Sequence, residues 1–270
     1  MSNVYQILSI GILSLNNLFI NIAGQGEPLL VLHGWGMNHT IWLPVKQILE
    51  ENYTVTWLDL PGHGQNKAYE ADNLEQMVAA VHDVCDRGTH VMGWSLGGLI
   101  AQRLAYLYPA EIKSLILVAT TPSFVQRATW SHAMVDSVLD TFVANLEEDY
   151  AMTLKRFLSL QFMGVKDMQP TLKLLREAIV ATAPTIAALR AGLRILKETD
   201  LRQQLCTFHK RLWILGEMDR LVPRQLAIDL LAMNADDQLH IIKGAGHAPF
   251  VSHPDIFAHH VTEFLSHVRS

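Results

Sequence analysis

Along this 270-residue chain, short apolar runs alternate with longer stretches in which apolar residues recur every three or four positions. The runs fall at 29–32, 55–58, 91–92, 115–118, 212–215 and 239–242. Their alternation with helical patterns predicts a buried, mostly parallel sheet flanked by helices. Between Leu18 and Leu32 the turn sequence Gly24-Gln25-Gly26-Glu27 separates two apolar runs and predicts a hairpin, giving the sheet an antiparallel start. From about Pro122 to Cys206 the strand signals stop, and segments 134–146, 154–162 and 172–180 carry helical spacing. Strand patterns resume at Arg211, and a last helix is predicted over 256–268. The pattern therefore predicts one α/β sheet domain made of residues 1–121 and 207–270, interrupted by a helical cap at 122–206.

Composition narrows the class. Half the residues are hydrophobic, enough for a sizeable core, and the formal charge of −5 offers no overall basic footprint for nucleic acid. Cys85 and Cys206 match no close-spaced zinc or redox pattern, so both are expected to be reduced, buried thiols. Residues 4–20 are apolar, but no Lys or Arg precedes Lys46 and Asn16-Asn17 interrupt them, which is a poor secretion signal. No run reaches the roughly 20 apolar residues of a membrane span. A cytoplasmic monomer is expected. Within the cap, residues 151–197 hold eight basic and two acidic side chains, a local excess of +6 that suits either solvated helix faces or an acidic partner.

The strongest chemical signal is Gly93-Trp94-Ser95-Leu96-Gly97, followed by Gly98. The pattern gains meaning from lying between a predicted strand, 90–92, and an apolar helical stretch, 99–108, stopped by Pro109. A sharp strand-to-helix turn holds a serine in a strained conformation, and side chains at the flanking glycine positions would collide. A serine hydroxyl is a weak nucleophile and needs a histidine beside it. His247, in Gly244-Ala245-Gly246-His247 just after the run ending at Ile242, is the candidate general base; His253, His259 and His260 fall in or near the last helix. The carboxylate that orients the imidazole is expected at Asp219, after the run 212–215, with Glu217 as its rival and Asp200 less well placed. The order Ser, Asp, His is that of the α/β-hydrolase fold. His33-Gly34-Trp35-Gly36 follows the run 29–32, where this fold draws one oxyanion donor: the N–H of Trp35 is expected to serve with that of Leu96. His33 is expected to be a structural hydrogen-bonding residue. No metal signature such as H-E-x-x-H occurs, and no cofactor is expected.

From about Gly24 onward the chain resembles the pimeloyl-[acyl-carrier protein] methyl ester carboxylesterases of biotin synthesis, the BioH family. The resemblance is carried by Leu32-His33-Gly34-Trp35-Gly36, Leu58-Asp59-Leu60-Pro61-Gly62, Gly93-Trp94-Ser95-Leu96-Gly97-Gly98-Leu99, Arg156-Phe157-Leu158-Ser159-Leu160-Gln161, residues 196–202, Leu221-Val222-Pro223-Arg224 and His247-Ala248-Pro249-Phe250. It implies hydrolysis of a methyl ester on a pimeloyl chain tethered to acyl-carrier protein. Trp35, Leu96, Phe157, Leu158, Ser159, Leu160 and Gln161 would line the substrate pocket beside Ser95 and His247. Acyl-carrier proteins are acidic, so Arg156, Arg176, Arg190 and Arg194 are the implied carrier contacts. The apolar segment 4–15 has no counterpart in this resemblance. The fold also hosts general short-chain carboxylesterases, lactonases and non-enzymatic ligand-binding proteins, so the fold alone leaves the reaction open.

Overall fold

The computed structural model describes residues 18–161, 169–205, 208 and 210–268; the apolar segment 4–15 and Cys206 lie outside them. Seven strands form one sheet: β1 Ile20–Gly24, β2 Glu27–Leu32, β3 Tyr53–Leu58, β4 Thr89–Trp94, β5 Ile112–Val118, β6 Arg211–Gly216 and β7 Gln238–Ile242. Their spatial order is β1-β3-β2-β4-β5-β6-β7. Every neighbouring pair is parallel except β1 with β3. The central strands β4 and β6 are buried at every position, which is why residues 91–92 and 212–215 within them read as continuous apolar runs and not as alternation.

The start of the sheet departs from the hairpin expected of 24–27. β1 is antiparallel but pairs with β3, Ile20 facing Leu58 and Gly24 facing Thr54, and β3 lies between β1 and β2. The link Gln25-Gly26 crosses over the first residues of β3. A side chain on Gly24 would strike the carbonyl of Tyr53, and one on Gly26 that of Asn52. Both glycines have positive φ, 86° and 123°. They are there because the chain passes over another strand's backbone at a distance that admits no Cβ.

Helices α1 Leu43–Glu50, α2 Leu74–His82 and α3 Leu96–Leu107 follow β2, β3 and β4 in turn. After β5 come α4 Asp136–Glu148, α5 Tyr150–Gln161, α6 Gln169–Ala181 and α7 Ile186–Glu198, and the chain then re-enters the sheet at β6. Three of these four cover the predicted helical segments; α7 adds the largest buried face, with Leu189, Leu193 and Leu196 on it. The chain closes with α8 Leu226–Met233, a short α9 Pro249–Ser252 and α10 Pro254–Val268. Cys85 is a free thiol only partly buried, and burial pushes its pKa up to about 12, which leaves it unreactive.

Candidate active site

The turn from β4 into α3 carries Ser95 with φ 54°, a left-handed conformation unfavourable for a residue bearing a Cβ. The surroundings hold it there. Its N–H donates to the Val118 carbonyl at 3.0 Å, and its carbonyl accepts from Thr120 Oγ1 at 2.8 Å. The flanking glycines admit the tight packing this needs: a Cβ on Gly93 would meet the Gly97 carbonyl and Gly98 Cα, and one on Gly97 would lie 2.5 Å from the His33 carbonyl.

Ser95 Oγ lies 3.0 Å from His247 Nε2, and His247 Nδ1 lies 2.8 Å from Asp219 Oδ2. All three side chains are buried. An ionised carboxylate only accepts, so Nδ1 carries the proton and Nε2 accepts from the serine hydroxyl. The second oxygen of Asp219 accepts from the N–H groups of Leu221 and Val222 at 2.8 and 3.0 Å, so the carboxylate cannot rotate away. Glu217 is engaged elsewhere: it pairs with Arg224 at 3.0 Å and accepts from the Gly244 N–H at 3.0 Å. Asp200 pairs with Arg202 at 2.7 Å. His253 bonds Ser252, and His260 stacks on His240 at 3.9 Å, both remote from Ser95 in this hydrogen-bond network.

Opposite the serine lies the loop after β2. A methyl on Gly34 would come within 3.2 Å of Ser95 Cβ, so this loop abuts the nucleophile position. The main-chain N–H of Trp35 has no acceptor among the described residues. Leu96 opens α3, where an N–H has no intrahelical acceptor either. Two N–H groups without an acceptor thus belong to residues beside Ser95, Leu96 next in the chain and Trp35 in the abutting loop. The loop is fixed from behind by two buried imidazoles. His33 Nδ1 donates to the Gly34 carbonyl at 2.8 Å while its Nε2 accepts from the Leu60 N–H at 2.9 Å. Because the Gly34 carbonyl and the Trp35 N–H share one peptide plane, gripping the first aims the second. His63 accepts from the Gly36 N–H at 3.4 Å and donates to the Pro61 carbonyl at 2.9 Å. Burial, with neighbouring His63 second, pushes the His33 pKa down to about 3, and burial also lowers that of His63, so both rings are neutral at pH 7.

Aromatic rings wall the space above the serine. Trp35 meets Phe157 of α5 edge-on at 4.8 Å and Phe142 of α4 at 6.4 Å, and its indole donates to the Leu189 carbonyl at 2.8 Å. Phe142 is absent from the sequence-predicted set; its place on the apolar stripe of α4 was the available signal, but only the fold brings that stripe to Trp35. Phe142 also lines a largely apolar groove of ≈ 670 Å³ between α4 and α5, with Val138 and Met152, and with Lys155 and Arg156 at its edge. Leu158, Ser159, Leu160 and Gln161 belong to α5 by their backbone, but their side chains lie outside the described ones.

The four arginines of helices α5 to α7 stand differently. Arg190 is held by Glu147 through two bonds of 2.6 Å, and Arg194 donates to the Asp72 carbonyl at 2.7 Å. Arg156 and Arg176 are exposed, and Arg156 has no hydrogen bond or ion pair among the described residues. Lys197 pairs with Asp136 and Asp140 of α4. Over the whole of 122–206, basic residues number ten and acidic ones nine, so the excess of +6 is confined to α5–α7 and is partly neutralised by α4. Among the described residues no group of three or more His, Cys, Asp or Glu side chains is arranged to hold a metal ion, and no single helix is long and apolar enough to cross a membrane.

A parallel sheet with one antiparallel edge, a serine on a strained strand-to-helix turn, and a histidine and aspartate from the loops after β7 and β6 define an α/β-hydrolase. Residues 29–260 match the family model described as Alpha/beta hydrolase family. Among solved structures, an esterase from Exiguobacterium antarcticum superposes with a TM-score of 0.82 at 22% identity over 94% of this chain and 96% of its own. A bromoperoxidase from Bacillus anthracis gives 0.84 at 19% identity over 92% and 95%. At that identity the likeness speaks for the fold alone. Sequence relatives narrow it further. A Photobacterium profundum protein named pimeloyl-[acyl-carrier protein] methyl ester esterase is 37% identical over 90% of this chain and 96% of its own. One of the same name from Nitrosomonas europaea is 39% identical over 89% and 96%. The chain belongs to the alpha/beta hydrolase family and, within it, to the family of these esterases.

Proposed function

We propose that this chain hydrolyses the methyl ester of a pimeloyl group carried on acyl-carrier protein, with Ser95 as nucleophile, His247 as general base and Asp219 as the carboxylate that orients the base. The observation that carries the reading is the line of hydrogen bonds from Asp219 through His247 to Ser95. His247 takes the Ser95 proton as Oγ attacks the ester carbonyl, and the N–H groups of Trp35 and Leu96 receive the negative charge that forms on the carbonyl oxygen. His247 then gives the proton to the departing methoxide, releasing methanol. A water, deprotonated by His247, attacks the acyl-serine; collapse returns the proton to Ser95 and frees the carboxylate product on its carrier.

The substrate class rests on the relatives' names and on the shape of the cap. Trp35, Phe142 and Phe157 offer an apolar wall for a methylene chain. The groove between α4 and α5 lets the chain lead outward past Arg156 to a carrier outside. An acidic carrier is met by Arg156 and Arg176, which are exposed, and by Arg190 and Arg194, which also hold Glu147 and the Asp72 carbonyl. Residues 122–206 act as a cap over the site, and the enzyme works as a cytoplasmic monomer without a cofactor. Growth without biotin of a strain lacking its own esterase, when supplied with this chain but not with Ser95→Ala, tests the reading. No rescue by a soluble, folded wild-type chain rejects the substrate assignment.

A further inference from the structure

Helix α7 is fastened to the sheet domain along its length. The N–H of Thr185, at its start, donates to the Gly62 carbonyl at 2.9 Å; the Leu189 carbonyl accepts the Trp35 indole; Arg194 reaches the Asp72 carbonyl. Between the last two anchors lies Gly192. A methyl group there would sit 2.5 Å from Trp35 Cδ1 and 3.2 Å from both Trp35 Nε1 and Leu96 Cδ2.

Neither neighbour can step aside. The Trp35 indole is tethered to Leu189 and packed against Phe157, and both Trp35 and Leu96 are buried. Glycine inside a helix is less favourable than alanine. Its presence where α7 touches both Trp35 and Leu96 is explained by close approach: the helix backbone reaches a distance that any side chain would prevent. The residues it touches are the two proposed to supply the oxyanion donors.

We infer that Gly192 is a positioning residue for the oxyanion hole, seating Trp35 and Leu96 so that both N–H groups converge on one point beside Ser95. This rests on the proposed roles of Trp35 and Leu96. An added methyl displaces at least one donor from a site where small misplacements are costly in rate. Binding of a small acetate ester, which has no acyl chain to lay against the aromatic wall, is left largely in place.

The test compares wild type with Gly192→Ala by kcat and KM on 4-nitrophenyl acetate and by inhibition with an alkyl trifluoromethyl ketone, whose adduct with Ser95 bears an oxyanion. Active sites are counted by titration with a fluorophosphonate, so that partial misfolding is not mistaken for a slower site. The expected result is a kcat at least about tenfold lower per titrated site, a similar weakening of the ketone, and a KM within about twofold. Trp35→Phe keeps the main-chain N–H and leaves α7 untouched while removing the tether to Leu189. It should shift kcat and ketone affinity in the same direction, and it covers the case in which Gly192→Ala does not fold. Values within about twofold of wild type, in a folded Gly192→Ala or failing that in Trp35→Phe, overturn the inference. Wild type that is not labelled at Ser95 rejects the catalytic reading itself, a result distinct from unaffected variants of a labelled enzyme.

Discussion

The indole Nε1 of Trp94 donates to the carbonyl oxygen of His247 at 2.7 Å. The residue before the nucleophile thereby ties down the main chain of the residue that carries the base, across 153 positions of sequence. The imidazole's distance to Ser95 is set by the β4 turn itself, and not only by Asp219. Trp94→Phe keeps the packing against Trp42 and Phe250 but leaves the His247 carbonyl unpaired. It should cost about 1–3 kcal/mol of stability and lower kcat about tenfold, read from urea unfolding and ester turnover.

Asp219 and Glu217 stand two residues apart after β6, but only Asp219 reaches His247. Asp219→Asn should lower kcat by about 10⁴ while the protein stays folded, because the amide stabilises the wrong tautomer. Glu217→Gln should change kcat by less than about tenfold, its bonds going to Arg224 and Gly244. Steady-state rates on one aryl ester decide between them; the opposite ranking moves the orienting role to Glu217.

Much of this was legible in the sequence. Each apolar run became a strand, although only β4 and β6 are buried at every position and β7, at the sheet's edge, exposes Ile241. The serine turn could be read because Gly93 is demanded locally, by the backbone of Gly97 and Gly98, although Gly97 itself answers to the distant His33 carbonyl. The pairing of β1 could not. Gly24-Gln25-Gly26 looks like a hairpin turn, and only the position of β3, some thirty residues on, makes it a crossover. Charge was legible as a count but not as a surface: Glu147, Asp136 and Asp140 of α4 precede the basic stretch and neutralise Arg190 and Lys197 across space. Gly192 gave no signal, because an isolated glycine in a helical pattern looks like a tolerated weakness until its neighbour is known.

Carrier recognition by Arg156 and Arg176 predicts a rate that depends on salt. Arg156→Gln with Arg176→Gln should lower kcat/KM on carrier-bound ester about tenfold at low ionic strength, more than on a small ester, and the difference should shrink as salt rises. Rates on the two substrates at two salt concentrations measure this. An equal effect on both substrates contradicts steering.

Buried His33 predicts acid sensitivity of a definite sign. Its folded pKa, about 3, lies below the usual 6.5, so on acidification the unfolded chain takes up its proton first. Its contribution to stability is complete above pH 6.5 and declines as pH falls toward 3, by about 1.4 kcal/mol per unit, with His63 acting in the same direction. The urea midpoint should be lower at pH 5 than at pH 7, and His33→Asn should narrow that gap. An undiminished gap assigns the acid sensitivity to other groups.

Cleavage of a carrier-bound methyl ester through Ser95 can be read from the intact mass of pimeloyl-carrier methyl ester after incubation with wild type and with Ser95→Ala. A carrier lighter by one CH₂, with methanol released, is expected for wild type alone. A carrier ester left intact by an enzyme that readily cleaves small aryl esters, or one cleaved equally by Ser95→Ala, contradicts the proposed function.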